Sequence, residues 1–302
     1  MDFLPQLATS PLEPLLEPLF EKAGVKVWLK RDDLLHPQVS GNKWRKLKYN
    51  LLEARRLGYT RLLTFGGAYS NHLYAVAAAG RLWGFETVGI VRGNEHRPDS
   101  NPTLRFCAQA GMRLRFVTRS EYREPALLTQ QYGQGYYVLP EGGTNQLAYK
   151  GLHELMSEIK TELKPDFVCV AVGTGGTATG LCQVATDSTK ILGFSVLKDG
   201  KGLPLEQLYP FFNGTPTSSR CTWISDYHIG GYAKTSPLLI NFIRAFEKQH
   251  GILLEQVYTG KMLFGMYDLV QKGVFPKDST LVAVHTGGLQ GRISALDSSQ
   301  NV

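Results

Sequence analysis

Stretches with the pattern of β-strands alternate with stretches of helical periodicity along nearly the whole chain of 302 residues. The apolar run 61–65 precedes the helical pattern 71–83, and the apolar run 167–172 precedes another helical pattern after Thr177. Such alternation is typical of parallel sheets covered by helices on both faces. The sequence therefore predicts an α/β fold with open, mostly parallel, twisted sheets flanked by helices.

The same patterns predict the position of each element. Strands are expected at residues 25–30, 61–65, 87–91, 114–117, 167–172, 191–196 and 281–284. Helices are expected at residues 43–57, 71–83, 102–110, 125–132, 147–163, 237–250 and 261–271, and in the stretch that follows Thr177. In open α/β sheets, ligands bind beyond the carboxyl ends of the strands. The loops that follow the strands are therefore the first place to look for chemistry.

The formal net charge of +7 raises the question of nucleic-acid binding. Most of the clustered basic residues lie in segment 42–48 and at Arg55 and Arg56. Leu47 and Leu51 give the same segment an apolar stripe, so its charges fall on the solvated face of an amphipathic helix. No nucleic-acid-binding motif accompanies the charge. We therefore expect no nucleic-acid partner.

Targeting signals and metal motifs are not found. The N-terminal residues 1–5 lack a basic start with an apolar run, and no segment reaches the ~18 apolar residues of a membrane span. The histidines form no H-E-x-x-H pattern and the cysteines no C-x-x-C pattern, which predicts no catalytic metal. We expect a cytoplasmic protein, without membrane contact, whose cysteines are buried free thiols. The four cysteines are Cys107, Cys169, Cys182 and Cys221.

Four loops combine glycine with hydroxyl or amide residues, at positions 66–72, 141–145, 173–177 and 285–288. Glycine lets the backbone approach a ligand closely, and the free amides at a helix start attract anions. One such loop is common in α/β proteins. Four of them indicate a polar, anionic ligand that is held from several sides.

The loop at residues 173–178, Gly-Thr-Gly-Gly-Thr-Ala, follows an apolar strand and precedes a helix. Its amides and two hydroxyl groups suit one phosphate group, and the Gly-Lys-Ser/Thr of a P-loop is missing. Its spacing also fits the loose G-x-G-x-x-A pattern of dinucleotide-binding proteins, although the acidic residue expected after the next strand is lacking. A nicotinamide-dependent oxidoreductase, or a purely structural turn, therefore stays an alternative at this point.

Lys43 stands at the opening of a helix, where a cation is unfavourable because of the helix dipole. A solvated surface lysine is one interpretation. The other is an amine whose pKa is lowered, so that the neutral nucleophile can attack a carbonyl group. Helix position alone does not decide between them.

Six motifs occur in order along the chain, at residues 30–34, 41–47, 69–72, 173–177, 257–261 and 285–288. Together they resemble the D-cysteine desulfhydrase and 1-aminocyclopropane-1-carboxylate deaminase family, which has the tryptophan-synthase-β fold type. The resemblance extends from about Ser10 to Gly288. It implies a pyridoxal 5'-phosphate enzyme with a small amino-acid substrate, a homodimer, and two domains with the cofactor in the cleft between them.

The resemblance also implies roles for single residues. Lys43 would bind the cofactor covalently and move the proton of the substrate's α-carbon, and Asn42 would lie beside the cofactor. Asn71 would bond to the ring hydroxyl of the cofactor, and Ser70 would bind the substrate carboxylate and assist catalysis. The cofactor phosphate would be held by Gly173, Thr174, Gly175, Gly176 and Thr177.

Further roles concern the substrate and the pyridine ring. Tyr258 would face the reacting carbons as a catalytic residue, with Tyr232 nearby, and His72 would contact the ring or the substrate. Thr286, or alternatively Thr259, would meet the pyridine nitrogen. Taken singly, Ser70 and Thr259 also fit helix caps, and Tyr258 fits a packed aromatic residue.

The residue that follows Tyr258 bears on the substrate. The resemblance implies that deaminases which open the cyclopropane ring carry Glu at this position, where it keeps the ring nitrogen protonated. Here the residue is Thr259, and a hydroxyl group cannot supply that charge. We therefore favour β-elimination from D-cysteine to pyruvate, hydrogen sulfide and ammonia. Alternatives are 1-aminocyclopropane-1-carboxylate deamination and a non-catalytic relative that binds the cofactor.

The expected domains follow from the resemblance as well. Residues 43–144 would form the small domain. Residues 1–42 and 145–302 would form the large, cofactor-binding domain.

Overall fold

A computed structural model of the protein describes Leu4 and residues 9–198 and 220–297. The chain separates into two compact units. The first comprises the described residues of Met1–Ala8 and Leu35–Gly151, and the second those of Thr9–Leu34 and Leu152–Val302. The expected domain boundaries, after residues 42 and 144, stay a prediction.

The predicted strands and helices all occur in the expected order, and the structure adds short elements that the sequence patterns did not predict. The strands are β1 (Leu12–Leu15), β2 (Lys26–Lys30), β3 (Arg61–Gly67), β4 (Glu86–Arg92), β5 (Arg113–Val117), β6 (Tyr137–Leu139), β7 (Phe167–Val172), β8 (Lys190–Ser195), β9 (Cys221–Ile224) and β10 (Thr280–Val284). The helices are α1 (Pro18–Ala23), α2 (Asn42–Arg56), α3 (Asn71–Trp83), α4 (Pro102–Gln109), α5 (Pro125–Tyr132), α6 (Gln146–Glu162), α7 (Gly176–Val184), α8 (Pro237–His250), α9 (Thr259–Gln271) and α10 (Ser294–Asp297).

The sheet of the first unit has four strands in the order β5-β4-β3-β6, all parallel. Side chains of β3 alternate between its two faces, as the two-residue repeat of a strand requires. Leu62 packs with residues of α2, α3 and α4, whereas Leu63 and Phe65 pack with Val88 and Ile90 of β4 and with Leu128 of α5. Both faces of this sheet are therefore buried.

The sheet of the second unit has six strands in the order β1-β2-β10-β7-β8-β9. The edge strand β1 is antiparallel to β2, and the other described pairs are parallel. Val168 and Val170 of β7 pack with residues of α6 and α7, whereas Cys169 and Ala171 pack with residues of α8 and α9. Helices cover both faces here too, and the predicted α/β fold is confirmed.

The parallel arrangement brings loops of distant sequence together. Strands β3 and β6 are neighbours in the first unit, so the loop before α3 lies beside the loop that follows β6. Strands β7 and β10 are neighbours in the second unit, so the loop before α7 lies beside the turn that follows β10. Each of the four glycine-containing loops therefore lies at the carboxyl edge of a sheet, where ligands bind in this class of fold.

The cysteine prediction is wrong for two residues. Cys182 in α7 and Cys221 in β9 form a disulfide bond, with 6.1 Å between their Cα atoms. The prediction failed because 39 positions separate the two residues in sequence and only the fold brings them together. Cys107 and Cys169 are buried free thiols, as expected. In the described part of the chain, the helices are too short or too polar to cross a lipid bilayer.

Candidate active site

Lys43 lies in the first turn of α2 in the first unit, as the sequence predicts. Its side chain is partly buried. Burial lowers the pKa of the Lys43 amine to about 8, because the charged form loses its hydration. The positive end of the helix dipole acts in the same direction. A neutral, nucleophilic amine is therefore accessible near neutral pH.

Lys46 lies one turn further along α2 and was missing from the predicted site. Its buried amine donates hydrogen bonds to the carbonyl oxygen of Gly142 and to the hydroxyl of Thr144, both at 3.1 Å. Burial and the nearby charge of Lys43 hold the pKa of Lys46 well below its usual value. Lys46 thus fixes the loop after β6 to the helix that carries Lys43. The three-residue spacing of the two lysines is the signal that could have revealed it.

Ser70 ends the loop between β3 and α3 and caps the helix. Its hydroxyl accepts hydrogen bonds from the backbone amides of His72 and Leu73, both at 3.2 Å. This cap satisfies two of the donors that a helix start leaves unpaired. The side chain stays partly exposed, so the capped helix start remains accessible to a carboxylate.

Asn71 and His72 begin α3 directly after Ser70. Asn71 is partly buried, whereas His72 is buried and its Nε2 lies 2.8 Å from the hydroxyl of Thr64. Because the Thr64 hydroxyl donates to the carbonyl of Leu139, Nε2 of His72 is the donor in that contact. Burial, followed by the charges of Lys43 and Lys46, holds the pKa of His72 far below its usual value. The imidazole is therefore neutral and ties α3 to β3, and its contact with a ligand stays a prediction.

The loop that was predicted to bind phosphate joins β7 to α7 in the second unit. Gly175 occupies the position before the helix with a φ of 83°, a left-handed conformation that glycine adopts readily. Among the residues that the structure describes, no side chain caps this helix start. The positive end of its dipole can therefore act on an anion. Thr177 is buried in the first turn, and Thr174 is exposed. The geometry fits a single phosphate group.

Tyr258 packs directly against that loop. A Cβ atom added to Gly173 would lie 2.9 Å from Cε1 of the Tyr258 ring, which is closer than carbon atoms approach. The Tyr258 hydroxyl donates to the hydroxyl of Tyr232 at 3.3 Å, and the two rings meet edge to face. Tyr232 is 42% exposed. The structure thus brings the two predicted tyrosines together beside the phosphate loop.

Glu255 holds the backbone on which Tyr258 stands, and it was also missing from the predicted site. Its two carboxylate oxygens accept hydrogen bonds from the amides of Val257, Tyr258 and Thr259 at 2.5–2.9 Å. Desolvation raises the pKa of this carboxyl group to about 7, although the amides and the charge of Lys261 favour its ionised form. A carboxylate just ahead of a helix is the sequence signal for such an amide cap.

Thr259 and Thr286 meet at the start of α9 and the end of β10. Their hydroxyl oxygens lie 3.4 Å apart and both residues are buried. The buried His285 shapes the turn that carries Thr286: its Nε2 donates to the carbonyl of Leu253, and its Nδ1 accepts from the amide of Gly287. The two threonines that the sequence could not distinguish therefore form one pair of hydroxyl groups.

Each unit, taken by itself, carries groups that fit one part of pyridoxal 5'-phosphate. The second unit supplies an uncapped helix start for the phosphate and a buried hydroxyl pair for a ring nitrogen. The first unit supplies an amine of lowered pKa for the aldehyde and a capped, accessible helix start for a carboxylate. Among the residues that the structure describes, no group of three or more His, Cys, Asp or Glu side chains could hold a metal ion.

Comparison with known proteins identifies the family. Residues 5–287 match the family model described as pyridoxal-phosphate-dependent enzyme. A D-cysteine desulfhydrase of Klebsiella pneumoniae (strain 342) is 29% identical over 303 residues, which cover 93% of this chain and 92% of that protein. The mitochondrial bifunctional D-cysteine desulfhydrase/1-aminocyclopropane-1-carboxylate deaminase of Arabidopsis thaliana is 28% identical, and the match covers 91% of this chain and 75% of that protein.

A solved structure agrees with these relatives. The crystal structure of a 1-aminocyclopropane-1-carboxylate deaminase homologue superposes with a TM-score of 0.81 at 27% identity, covering 98% of this chain and 94% of that chain. The family match includes the loop at residues 173–178, so the dinucleotide interpretation of its spacing is set aside, and the resemblance inferred from the motifs is confirmed. The chain belongs to the family of pyridoxal-phosphate-dependent enzymes, in the group of 1-aminocyclopropane-1-carboxylate deaminases and D-cysteine desulfhydrases, and its cofactor is pyridoxal 5'-phosphate.

Proposed function

We propose that this enzyme is a D-cysteine desulfhydrase, which releases pyruvate, hydrogen sulfide and ammonia from D-cysteine by β-elimination. One observation carries the choice of substrate. The position after Tyr258 holds the hydroxyl of Thr259, which pairs with Thr286. The neighbouring carboxylate of Glu255 is engaged by backbone amides, so it is not available to a ring nitrogen.

The cofactor, when bound, withdraws electrons from the α-carbon of the substrate. A ring nitrogen that faces hydroxyl groups withdraws them less strongly than one whose protonation a carboxylate maintains. Thiolate is a good leaving group and departs from the β-carbon without a strong electron sink. A cyclopropane carbon is a poor leaving group, and the Thr259–Thr286 pair therefore favours β-elimination over ring opening.

In this proposal Lys43 and the phosphate loop serve the same cofactor molecule. The Lys43 amine, with its pKa of about 8, attaches the cofactor and accepts the α-proton of the substrate at Nζ. Ser70, at the accessible start of α3, orients the substrate carboxylate. Tyr258, whose backbone amide Glu255 holds, would face the reacting carbons, with Tyr232 beside it.

The discriminating experiment measures 2-oxo acid release from D-cysteine, L-cysteine, D-serine and 1-aminocyclopropane-1-carboxylate side by side. We expect the highest kcat/KM with D-cysteine. A higher value with the cyclopropane amino acid would favour the deaminase, and the absence of product from all four would favour a non-catalytic, cofactor-binding relative. Cytoplasmic location and homodimeric assembly stay predictions.

Two variants test the residues that carry the proposal. Lys43→Ala should lose the yellow absorbance of the bound cofactor and fall below about one thousandth of wild-type turnover, whereas Lys48→Ala on the same helix should keep both. Thr259→Glu should lower the ratio of D-cysteine to cyclopropane activity. Thr259→Gln is the matched control, because it adds the same bulk without the charge. An equal change in both variants would refute the argument about charge.

A further inference from the structure

The amine of Lys261 ties helix α9 to a turn of the second unit that precedes Tyr232. Lys261 is 1% exposed, and its Nζ donates hydrogen bonds to the carbonyl oxygens of His228 at 2.7 Å and Gly231 at 2.8 Å. Desolvation lowers the pKa of this amine to about 8, and the negative charge of Glu255 opposes the shift. A buried amine is retained where its hydrogen bonds are satisfied, and here both acceptors belong to one turn.

The backbone of this turn is strained. Ile229 has a φ of 52° and Ala233 a φ of 56°, in the left-handed region that side chains other than glycine rarely adopt. Such conformations persist only where surrounding contacts hold them. The carbonyl of Gly231 accepts from Lys261 and also from the backbone amide of Lys234. Lys261 therefore supplies contacts on both sides of the strained Ile229.

Tyr232 lies within this strained stretch, between Gly231 and Ala233. The Tyr232 hydroxyl lies 3.3 Å from that of Tyr258, and the ring centroids are 6.0 Å apart. Tyr258 is fixed from the other side, because Glu255 accepts hydrogen bonds from the amide of Tyr258 and from both neighbouring amides. The two tyrosines thus stand on two separately anchored backbone segments, and Lys261 anchors the one that carries Tyr232.

We propose that Lys261 is a positioning residue, which sets the place of Tyr232 against Tyr258 and thereby the affinity for the amino-acid substrate. The inference rests on the proposed function, since it takes the tyrosine pair as part of the substrate site. Lys261 acts through the backbone of the turn, and its amine is engaged by two carbonyl groups. The side chain that responds to it, Tyr232, is substantially exposed and able to contact a ligand.

The test is a double-mutant cycle on the holoenzyme with Lys261→Met, Tyr232→Ala and the combined variant. Methionine keeps the aliphatic bulk of lysine and removes both hydrogen bonds. Lys261→Met should raise the KM for D-cysteine about tenfold and change kcat less than threefold, with the cofactor absorbance retained. In the Tyr232→Ala background the same change should raise KM less than twofold, because the residue through which it acts is gone.

Two further variants separate positioning from a general structural role. Lys261→Arg can donate to both carbonyl groups and should keep KM within threefold of the wild type. Lys272→Met, at the end of the same helix, removes an exposed ion pair with Asp268 and should leave KM unchanged. If Lys261→Met does not fold, Lys261→Gln, which retains one donor group, takes its place in the cycle.

Several results would overturn the inference. One is a full tenfold rise in KM that persists in the Tyr232→Ala background, and another is an unchanged KM in Lys261→Met with the cofactor bound. A hundredfold loss of kcat alone would place Lys261 in the chemistry instead. The dissociation constant of D-cysteine, measured from the change in cofactor absorbance, distinguishes a failure of the proposed function from a failure of the proposed role of Lys261. Binding without pyruvate release contradicts the proposed function, whereas a cycle without coupling contradicts only the role of Lys261.

Discussion

The hydroxyl oxygens of Thr259 and Thr286 lie 3.4 Å apart, although 27 positions separate the residues in sequence. A hydroxyl group has one hydrogen to donate and two lone pairs to accept. When Thr259 donates to Thr286, the hydrogen of Thr286 is left for a ligand. We propose this direction, in which Thr286 is the donor to the pyridine nitrogen and Thr259 supports it.

Valine substitutions test this assignment, because valine has the shape of threonine without the hydroxyl. Thr286→Val should lower kcat about fivefold to tenfold, since one hydrogen bond contributes roughly 1 kcal/mol. Thr259→Val should lower it less than threefold. Steady-state pyruvate release measures both, and Thr286→Ser, which keeps the hydroxyl, is the control. A larger loss in Thr259→Val than in Thr286→Val would reverse the assignment.

Ser70 combines a structural and a proposed binding role, and a second capping serine separates them. The Ser236 hydroxyl accepts a hydrogen bond from the amide of Leu239 at the start of α8, outside the candidate site. Ser70→Ala and Ser236→Ala should each lower the free energy of unfolding in urea by about 1 kcal/mol. Only Ser70→Ala should also raise the KM for D-cysteine, by about tenfold. Equal KM values in the two variants would reduce Ser70 to a helix cap.

The lowered pKa of Lys43 predicts how cofactor capture depends on pH. Below pH 8 the fraction of neutral amine falls about tenfold for each pH unit, and above pH 8 it is nearly complete. The rate at which the apoprotein takes up pyridoxal 5'-phosphate should therefore rise up to about pH 8 and then level off. Nα-acetyl-lysine serves as the reference, since its amine titrates near 10.4. A protein rate that still climbs tenfold between pH 9 and pH 10 would contradict the lowered pKa.

The bond between Cys182 and Cys221 predicts the thiol content of the protein. In denaturant without reductant, two of the four cysteines should react with a thiol reagent, and all four after reduction. A cross-link over 39 residues stabilises the fold by roughly 3–4 kcal/mol through the entropy of the unfolded chain. Reduction should lower the free energy of unfolding by about this amount. The Cys182→Ser/Cys221→Ser variant should not respond to reductant, and four reactive thiols before reduction would rule the bond out.

Local signals predicted much of the fold. Helices α3, α5 and α8 have the expected bounds at both ends, because Ser70, Pro125 and Ser236–Pro237 mark their starts as N-caps or N1 prolines do. Strand β1 was missed, since it is four residues long, contains Pro14 and pairs only along one edge with β2. Strand β1 forms because it pairs with β2, and its own four residues show no periodicity that would predict a strand.

The candidate site divides in the same way. Lys43 stands out because a cation at the start of a helix is unfavourable. The loop at residues 173–178 stands out because a glycine-rich helix start favours an anion. Lys46 and Lys261 do not, because the backbone carbonyl groups that they contact come within reach only in the folded chain. Glu255 was missed although its partners, the amides of residues 257–259, are local. In this chain, residues proposed to contact a ligand are easier to identify from sequence patterns than residues that hold other residues in place.

The contact between Gly173 and the ring of Tyr258 limits how the enzyme could be redesigned. Any side chain at position 173 would displace that ring, and a broader aromatic group at position 258 would press into the same narrow gap. The two positions therefore have to be varied as a pair in a library that seeks new substrates. A Tyr258→Trp substitution would require the end of strand β7 to shift. Because the same strand end carries the loop that is predicted to bind the cofactor phosphate, substrate selectivity and cofactor retention would change together.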